Sequence, residues 1–137
     1  MAIFGIGASY NKQDVSGKFI RRNIVGIGWT EQESPELHQL VKTLRVGDIV
    51  YIKSVAASSR FIYVKAIGVI SDVTIRTAED TDELVQIGRN TIWLSTRNFQ
   101  IRKPSERNNV RYNSIYQEFH PEVQSAILRR LRARRGQ

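Results

Sequence analysis

Aliphatic residues alternate with glycine at the start of the chain, in Ile3-Phe4-Gly5-Ile6-Gly7-Ala8, and that alternation predicts a strand. The spacing then lengthens. Val15, Phe19 and Ile20 fall on one side of a short helix over about 14–22, with Asn23 as its C-terminal stop. Ile24-Val25-Gly26-Ile27-Gly28-Trp29 repeats the glycine alternation as a second buried strand. Ser34-Pro35-Glu36 opens a longer helix with an N-cap serine, a proline in the first turn and an acid near the positive end of the dipole. Leu37, Leu40, Val41 and Leu44 recur at i, i+3, i+4 and i+7, giving that helix one apolar face.

Beyond Leu44 the pattern turns to strands. Val46-Gly47-Asp48 makes a turn into Ile49-Val50-Tyr51-Ile52-Lys53-Ser54, and Ala56 to Arg60 is a loop of small residues. Phe61 to Ile70 is a β-branched and aromatic run that continues, bent at Gly68, from Asp72 to Ile75. An acidic loop follows from Thr77 to Glu83, then a strand from Thr91 to Ile101 holding Trp93 and Phe99, and a polar loop from Pro104 to Asn109. The last element is a helix over about 121–134, with Val123, Ala126, Ile127 and Leu131 on one face and arginines on the other. Five or six short strands with two or three flanking helices predict a single α+β domain, 1–137, built on a small, partly closed β-barrel. Glycines on one face of a strand mean close approach, by another strand at a barrel corner or by a ligand, and barrel packing is the expected case.

Charge changes this picture more than composition does. A 41% hydrophobic and 25% charged chain of 137 residues is ordinary for one domain, but a net charge of +8 is not. Residues 97–137 hold ten Arg and Lys against three Glu, so that third carries +7 and leaves about +1 for everything before it. Nearly all of that excess is arginine, whose planar donor fork suits phosphate. Arg97, Arg102, Lys103, Arg107, Arg111, Arg129, Arg130 and Arg132 are the candidate phosphate contacts, and nucleic acid, DNA or RNA, is the expected partner. No run reaches the roughly eighteen apolar residues of a membrane span. The first residues lack the basic flank and long apolar stretch of a signal peptide, so the expected address is cytoplasmic with no membrane partner.

Catalytic chemistry finds little footing. Gly5-Ile6-Gly7 and Gly26-Ile27-Gly28 lack the third glycine and the following long helix of a dinucleotide site, and Gly17-Lys18 lacks the upstream glycine of a phosphate loop. There is no cysteine, which excludes disulfides and thiolate metal sites. His38 and His120 are far apart: His38 reads as a surface residue, and His120 before Pro121 as a helix cap. No lysine follows an acid by two positions, the common nuclease pairing for Mg²⁺, and Asp48 reads as a turn former. The expectation is a non-enzyme with neither cofactor nor metal.

Aromatics among basic residues remain. Tyr10, Trp29, Tyr51, Tyr63 and Trp93 each fall on or just past an expected strand, where rings can cage a flipped base. Any one of them is ordinarily core. Trp29 differs, because it closes a buried strand and is followed by Thr30-Glu31-Gln32-Glu33. Tyr10, Trp29 and Trp93 are the candidate ring contributors.

Gly47-Asp48-Ile49-Val50-Tyr51-Ile52-Lys53-Ser54, preceded by Leu44-Arg45-Val46 and followed by Lys65-Ala66-Ile67-Gly68-Val69-Ile70, resembles the PUA-like superfamily and its EVE-type domains. The resemblance covers residues 24–72. EVE domains usually carry Tyr-His before the serine where this chain has Ile52-Lys53, and they open on a tryptophan-rich strand that is not found here. The resemblance implies a pseudo-barrel that captures a base, often a modified one, with Trp29, Lys53 and Ser54 lining the pocket. The arginines of the final third would then track the backbone. A protein-interaction module, docking an acidic partner through the basic C-terminal helix, is the alternative from another class.

Overall fold

The computed structural model describes residues 1–56, 58–104, 111 and 113–135, with side chains as far as 132. The architecture is α+β, a mixed seven-stranded sheet with three helices. In chain order the elements are β1 (Ile3–Gly7), β2 (Ser9–Tyr10), β3 (Gln13–Asp14), α1 (Ser16–Arg22), β4 (Ile24–Ile27), α2 (Pro35–Thr43) and β5 (Ile49–Ser54). They continue as β6 (Phe61–Thr77), β7 (Ile87–Ser95), β8 (Phe99–Arg102), β9 (Ile115–Gln117) and α3 (Pro121–Arg135). The main sheet runs β4-β7-β6-β5-β1-β9, with β8 on the outer edge of β6's first half. Every ladder is antiparallel except β1 with β5, which are parallel. The sheet curls enough to bring β4 near β1, but no ladder joins them, so it is not closed into a barrel.

Alternation along the strands divides the core in two. Val50 and Ile52 of β5 pack with Phe19 of α1 and Val41 of α2, whereas Ile49 and Tyr51 pack with Val123 and Ile127 of α3. Thus α1 and α2 cover one face of the sheet and α3 the other. Asn23 ends α1 in the left-handed region (φ 54°), its amide turned back to Phe19 and Ile20 carbonyls, as its position in the sequence predicts. Ser34 precedes α2 as expected but makes no side-chain capping bond. At the other end of α2, the fully buried Arg89 guanidinium donates to the Val41 and Leu44 carbonyls and to Asp72 O, satisfying the helix's orphaned acceptors. The turn before β5 holds Gly47 at φ +91°, and the Asp48 carboxylate accepts the amides of Ala2 and Arg45 at 3.0 and 2.8 Å. Asp48 is therefore the turn former its setting predicts.

Four expectations are corrected. The single strand over Thr91–Ile101 is two, because β7 and β8 pair with different halves of the 17-residue β6 and the chain must leave one ladder for the other. The strand β6 deforms at shifts between Ile67/Gly68 and Ile70/Ile75, a wider irregularity than one bend at Gly68. Strands β2, β3 and β9 lie in stretches that carry no strand pattern, and β3 occupies the first residue of the expected helix, so α1 begins at Ser16. His38 is buried and not on the surface. Among the described residues no helix is long and apolar enough to cross a membrane.

Candidate nucleic-acid pocket

Strands β2 and β3 form a hairpin whose two-residue turn, Asn11-Lys12, has both residues at positive φ (50° and 67°). That backbone matches the twist of a tight hairpin and suits asparagine in its first position. The hairpin is tied down at Asp14, whose carboxylate accepts the Ser16 amide at 2.8 Å and pairs with Lys65 at 2.6 Å. Tyr10 is thereby held inward. Its ring meets Phe19 edge-on, with centroids 6.3 Å apart, and lies 3.1 Å from where a Cβ on Gly28 would stand. Gly28 thus leaves the space that the Tyr10 ring fills. Gly5 does the same under the Tyr116 ring, whereas a Cβ on Gly26 would meet the Ile87 carbonyl and the Val85 side chain.

Trp29 follows β4 and is fixed at two points. Its indole Nε1 donates to Ser114 Oγ at 2.9 Å, and its carbonyl accepts from His38 Nε2 at 2.6 Å. The ring itself is 49% exposed. Between Tyr10 and Trp29 lies a cavity of about 390 Å³, within the range of small-molecule sites. Ser9, Asn11, Gly28 and Ser114 complete its walls, and Glu33, Glu83 and Gln86 bring side-chain acceptors. The Thr30 amide and hydroxyl hold the Glu33 carboxylate, lowering its pKa, so it stays ionised. The Tyr10 hydroxyl is buried and has no hydrogen-bond partner among the described residues, and burial raises its pKa, so the phenol keeps its proton. A cavity of this kind accepts a planar group with N–H donors along its edge: a ring to stack on and acceptors at the rim.

Of the five residues expected at the pocket, Tyr10 and Trp29 line this cavity; Lys53, Ser54 and Trp93 do not. Ser54 is exposed at the end of β5, paired with Tyr63. Trp93 is half-buried over Gly68 and packs against the α1/α2 core, its Nε1 without a partner. Lys53 is buried, its ammonium donating to the Arg111 carbonyl at 2.7 Å and sitting 5.6 Å over the Tyr116 ring. Burial pushes the Lys53 pKa down to about 8 from 10.5. Between those values the unfolded chain binds more protons than the folded one, so stability rises with pH through that window. Above about 10 the trend reverses, because burial raises the phenol pKa values of Tyr51 and Tyr116 and folding then opposes their ionisation. Urea denaturation followed from about pH 7 upward should show this rise in the native protein and lose it in Lys53→Met; equal slopes in both would place its source elsewhere.

The expected phosphate contacts are scattered. Arg97, Arg102, Arg129 and Arg132 are exposed, and Arg102 and Arg129 share a cleft of about 510 Å³ between β8 and α3 with Glu122. Arg130 lies 4.8 Å over the Phe99 ring, and Lys103 Nζ donates to the Ala56 carbonyl at 2.7 Å. Arg107 falls outside the described residues. Arg111 is 5% exposed and bonded through Nε and a terminal nitrogen to Glu118 at 3.0 and 2.8 Å, so its charge is spent inside the protein instead of facing a phosphate. His120 accepts the Glu122 amide at 3.2 Å on entry to α3, the capping role its position predicts. Sequence reasoning missed Ser114, Gln86, Asn11 and the two rim carboxylates; only Asn11, at a hairpin turn, left a local signal. Comparison with known proteins finds no matching family model and no matching curated relative.

Proposed function

We propose that this protein is a non-catalytic nucleic-acid-binding module that takes a base, modified or plain, into the cavity between Tyr10 and Trp29. The observation that carries this reading is the cavity of about 390 Å³ walled by the Tyr10 and half-exposed Trp29 rings. Buried polar groups are nearly always satisfied, and the Tyr10 hydroxyl, buried with no partner among the described residues, gains one when a bound base draws that ring toward it. The half-exposed Trp29 ring supplies stacking surface, and the charge of +8, with exposed arginines on β8 and α3, supplies attraction to a polyanion. The curl that brings β4 near β1 and the Gly47 turn into β5 support a PUA-like pseudo-barrel of the EVE type, with Trp29 in the region expected to serve the pocket.

Fluorescence anisotropy against matched DNA and RNA strands, with and without a modified cytosine or adenine, at two salt concentrations, tests the reading. One strand should bind more tightly and keep that advantage at the higher salt; uniform binding that vanishes with salt would leave only a basic surface. Tyr10→Phe sharpens the test. Removing an unsatisfied buried hydroxyl should leave the free protein as stable or about 1 kcal/mol more so, while weakening the favoured strand about tenfold. A variant that loses stability and binding together would mean that the hydroxyl serves the fold. Leu128, exposed beside Arg129 on α3, favours the second reading, docking on an acidic protein; in that case neither strand nor Tyr10→Phe matters to affinity.

A further inference from the structure

A second cavity, of about 490 Å³, adjoins the first and shares Tyr10, Asn11 and Glu83 with it. Its far wall is the outer side of α1, where Lys18, Arg21 and Arg22 stand. Lys18 and Arg21 are exposed and make no ion pair among the described residues, while Arg22 gives one donor to the Thr81 carbonyl at 2.8 Å. Asp82 and Glu83 also line this space, so its cations outnumber its acids by one. The turn residues Asn11 and Lys12 on one side and Asp82 and Glu83 on the other all have positive φ, which confines both rims to tight, defined turns.

We propose that this second cavity is a phosphate subsite, in which Lys18, Arg21 and Arg22 hold the phosphodiester next to the base that enters the Tyr10–Trp29 cavity. The inference rests on the base-capture reading above and departs from the sequence expectation that the C-terminal arginines hold the backbone. Geometry separates the two sets of cations. The Tyr10 ring packs in the core under α1 and α2, whereas α3 packs on the opposite face of the sheet through Val123 and Ile127. A strand that places a base beside Tyr10 meets α1 within a nucleotide of it, and would have to pass around the sheet to meet α3. Arginine forks bind phosphate oxygens in a bidentate manner, and lysine adds a mobile charge, so one phosphate between Lys18 and Arg21 satisfies both without displacing a structural contact.

The test compares the salt dependence of binding to short single-stranded DNA and RNA of mixed sequence for four proteins: the native chain, Lys18→Ala/Arg21→Ala, Arg129→Ala/Arg132→Ala, and Trp29→Ala. On single strands each phosphate no longer neutralised flattens the slope of log affinity against log salt by about 0.7, so the α1 pair, which shares one phosphate, should flatten it by about 0.7. The α3 pair should change it less, and Trp29→Ala should weaken binding at an unchanged slope. Both α1 side chains are exposed on the helix, so loss of folding does not confuse the result, and circular dichroism confirms it. A slope unchanged in the α1 pair, or flattened more by the α3 pair, overturns the subsite while Trp29 dependence keeps base capture standing. Failure of the native chain to bind either strand removes both.

Discussion

Glu118→Ala is expected to destabilise the protein by about 3–5 kcal/mol, the cost of removing one partner from a buried ion pair. Glu118 is 2% exposed and its carboxylate is the acceptor for four donors: the Tyr51 hydroxyl, two nitrogens of Arg111 and the His120 amide. Because Tyr51 donates to Glu118, the Tyr116 hydroxyl donates in turn to Tyr51 at 2.7 Å. Truncation would strand a guanidinium in the interior and leave the Tyr51 hydroxyl without its acceptor. The network binds the segment around β9 to β5, and the Lys53 bond to the Arg111 carbonyl adds a second tie. Against a total stability of about 5–15 kcal/mol for a domain, a loss of this size is read directly from the urea midpoint. Replacing both partners, as Arg111→Met with Glu118→Leu, should cost much less, since no charge is then left buried alone. A single variant within about 1 kcal/mol of the native protein would show that Arg111 can reach water, and would restore it as a candidate phosphate contact.

The second large effect is on binding. Trp29→Ala should weaken the favoured strand by about 1–3 kcal/mol, or roughly 5- to 150-fold, the contribution of one base stacked on one ring. The same change should leave the urea midpoint nearly unmoved, because the ring is half-exposed. Trp29→Phe separates two roles, since it keeps an aromatic face but loses the Ser114 hydrogen bond that sets the indole's angle. If stacking dominates, phenylalanine recovers most of the affinity; if orientation dominates, it behaves like alanine. Unchanged binding in Trp29→Ala would sink the pocket altogether.

The sequence made the local signals plain and the distant pairings opaque. Asn23 ending α1, Pro35 opening α2 and Gly47-Asp48 turning into β5 are decisions taken within a few residues, where backbone chemistry is legible. Trp29 stood out for the same reason, at the step from apolar strand to polar loop. Lys53 and Arg111 misled because a charged residue on a basic chain reads as surface until its partner is known. Nothing near Lys53 announces that residue 111 will bring it a carbonyl, and Glu118 gives no sign that Tyr51 approaches it from β5. Strand β9 is three residues long and finds its pattern only in the pairing with β1, so periodicity had nothing to register. The cavity inherits that difficulty, since Ser114 reaches Trp29 across 85 residues of chain.

The position of β1 between β5 and β9 also dictates an order of events. Strand β1 has one neighbour that comes more than forty residues later and another that comes more than a hundred later. Its parallel ladder requires α1, β4 and α2 to have been made and folded back, and its antiparallel ladder waits for β9. Such distant closures are slow. On the ribosome, Ile3 to Gly7 must therefore keep at least one open edge until residues 115–117 have been made, a stretch of apolar, unpaired backbone of the sort that seeds intermolecular pairing. The glycine at position 5, which makes room for the Tyr116 ring in the folded state, and Gly7 beside it also weaken that segment's tendency to join a foreign sheet while it waits.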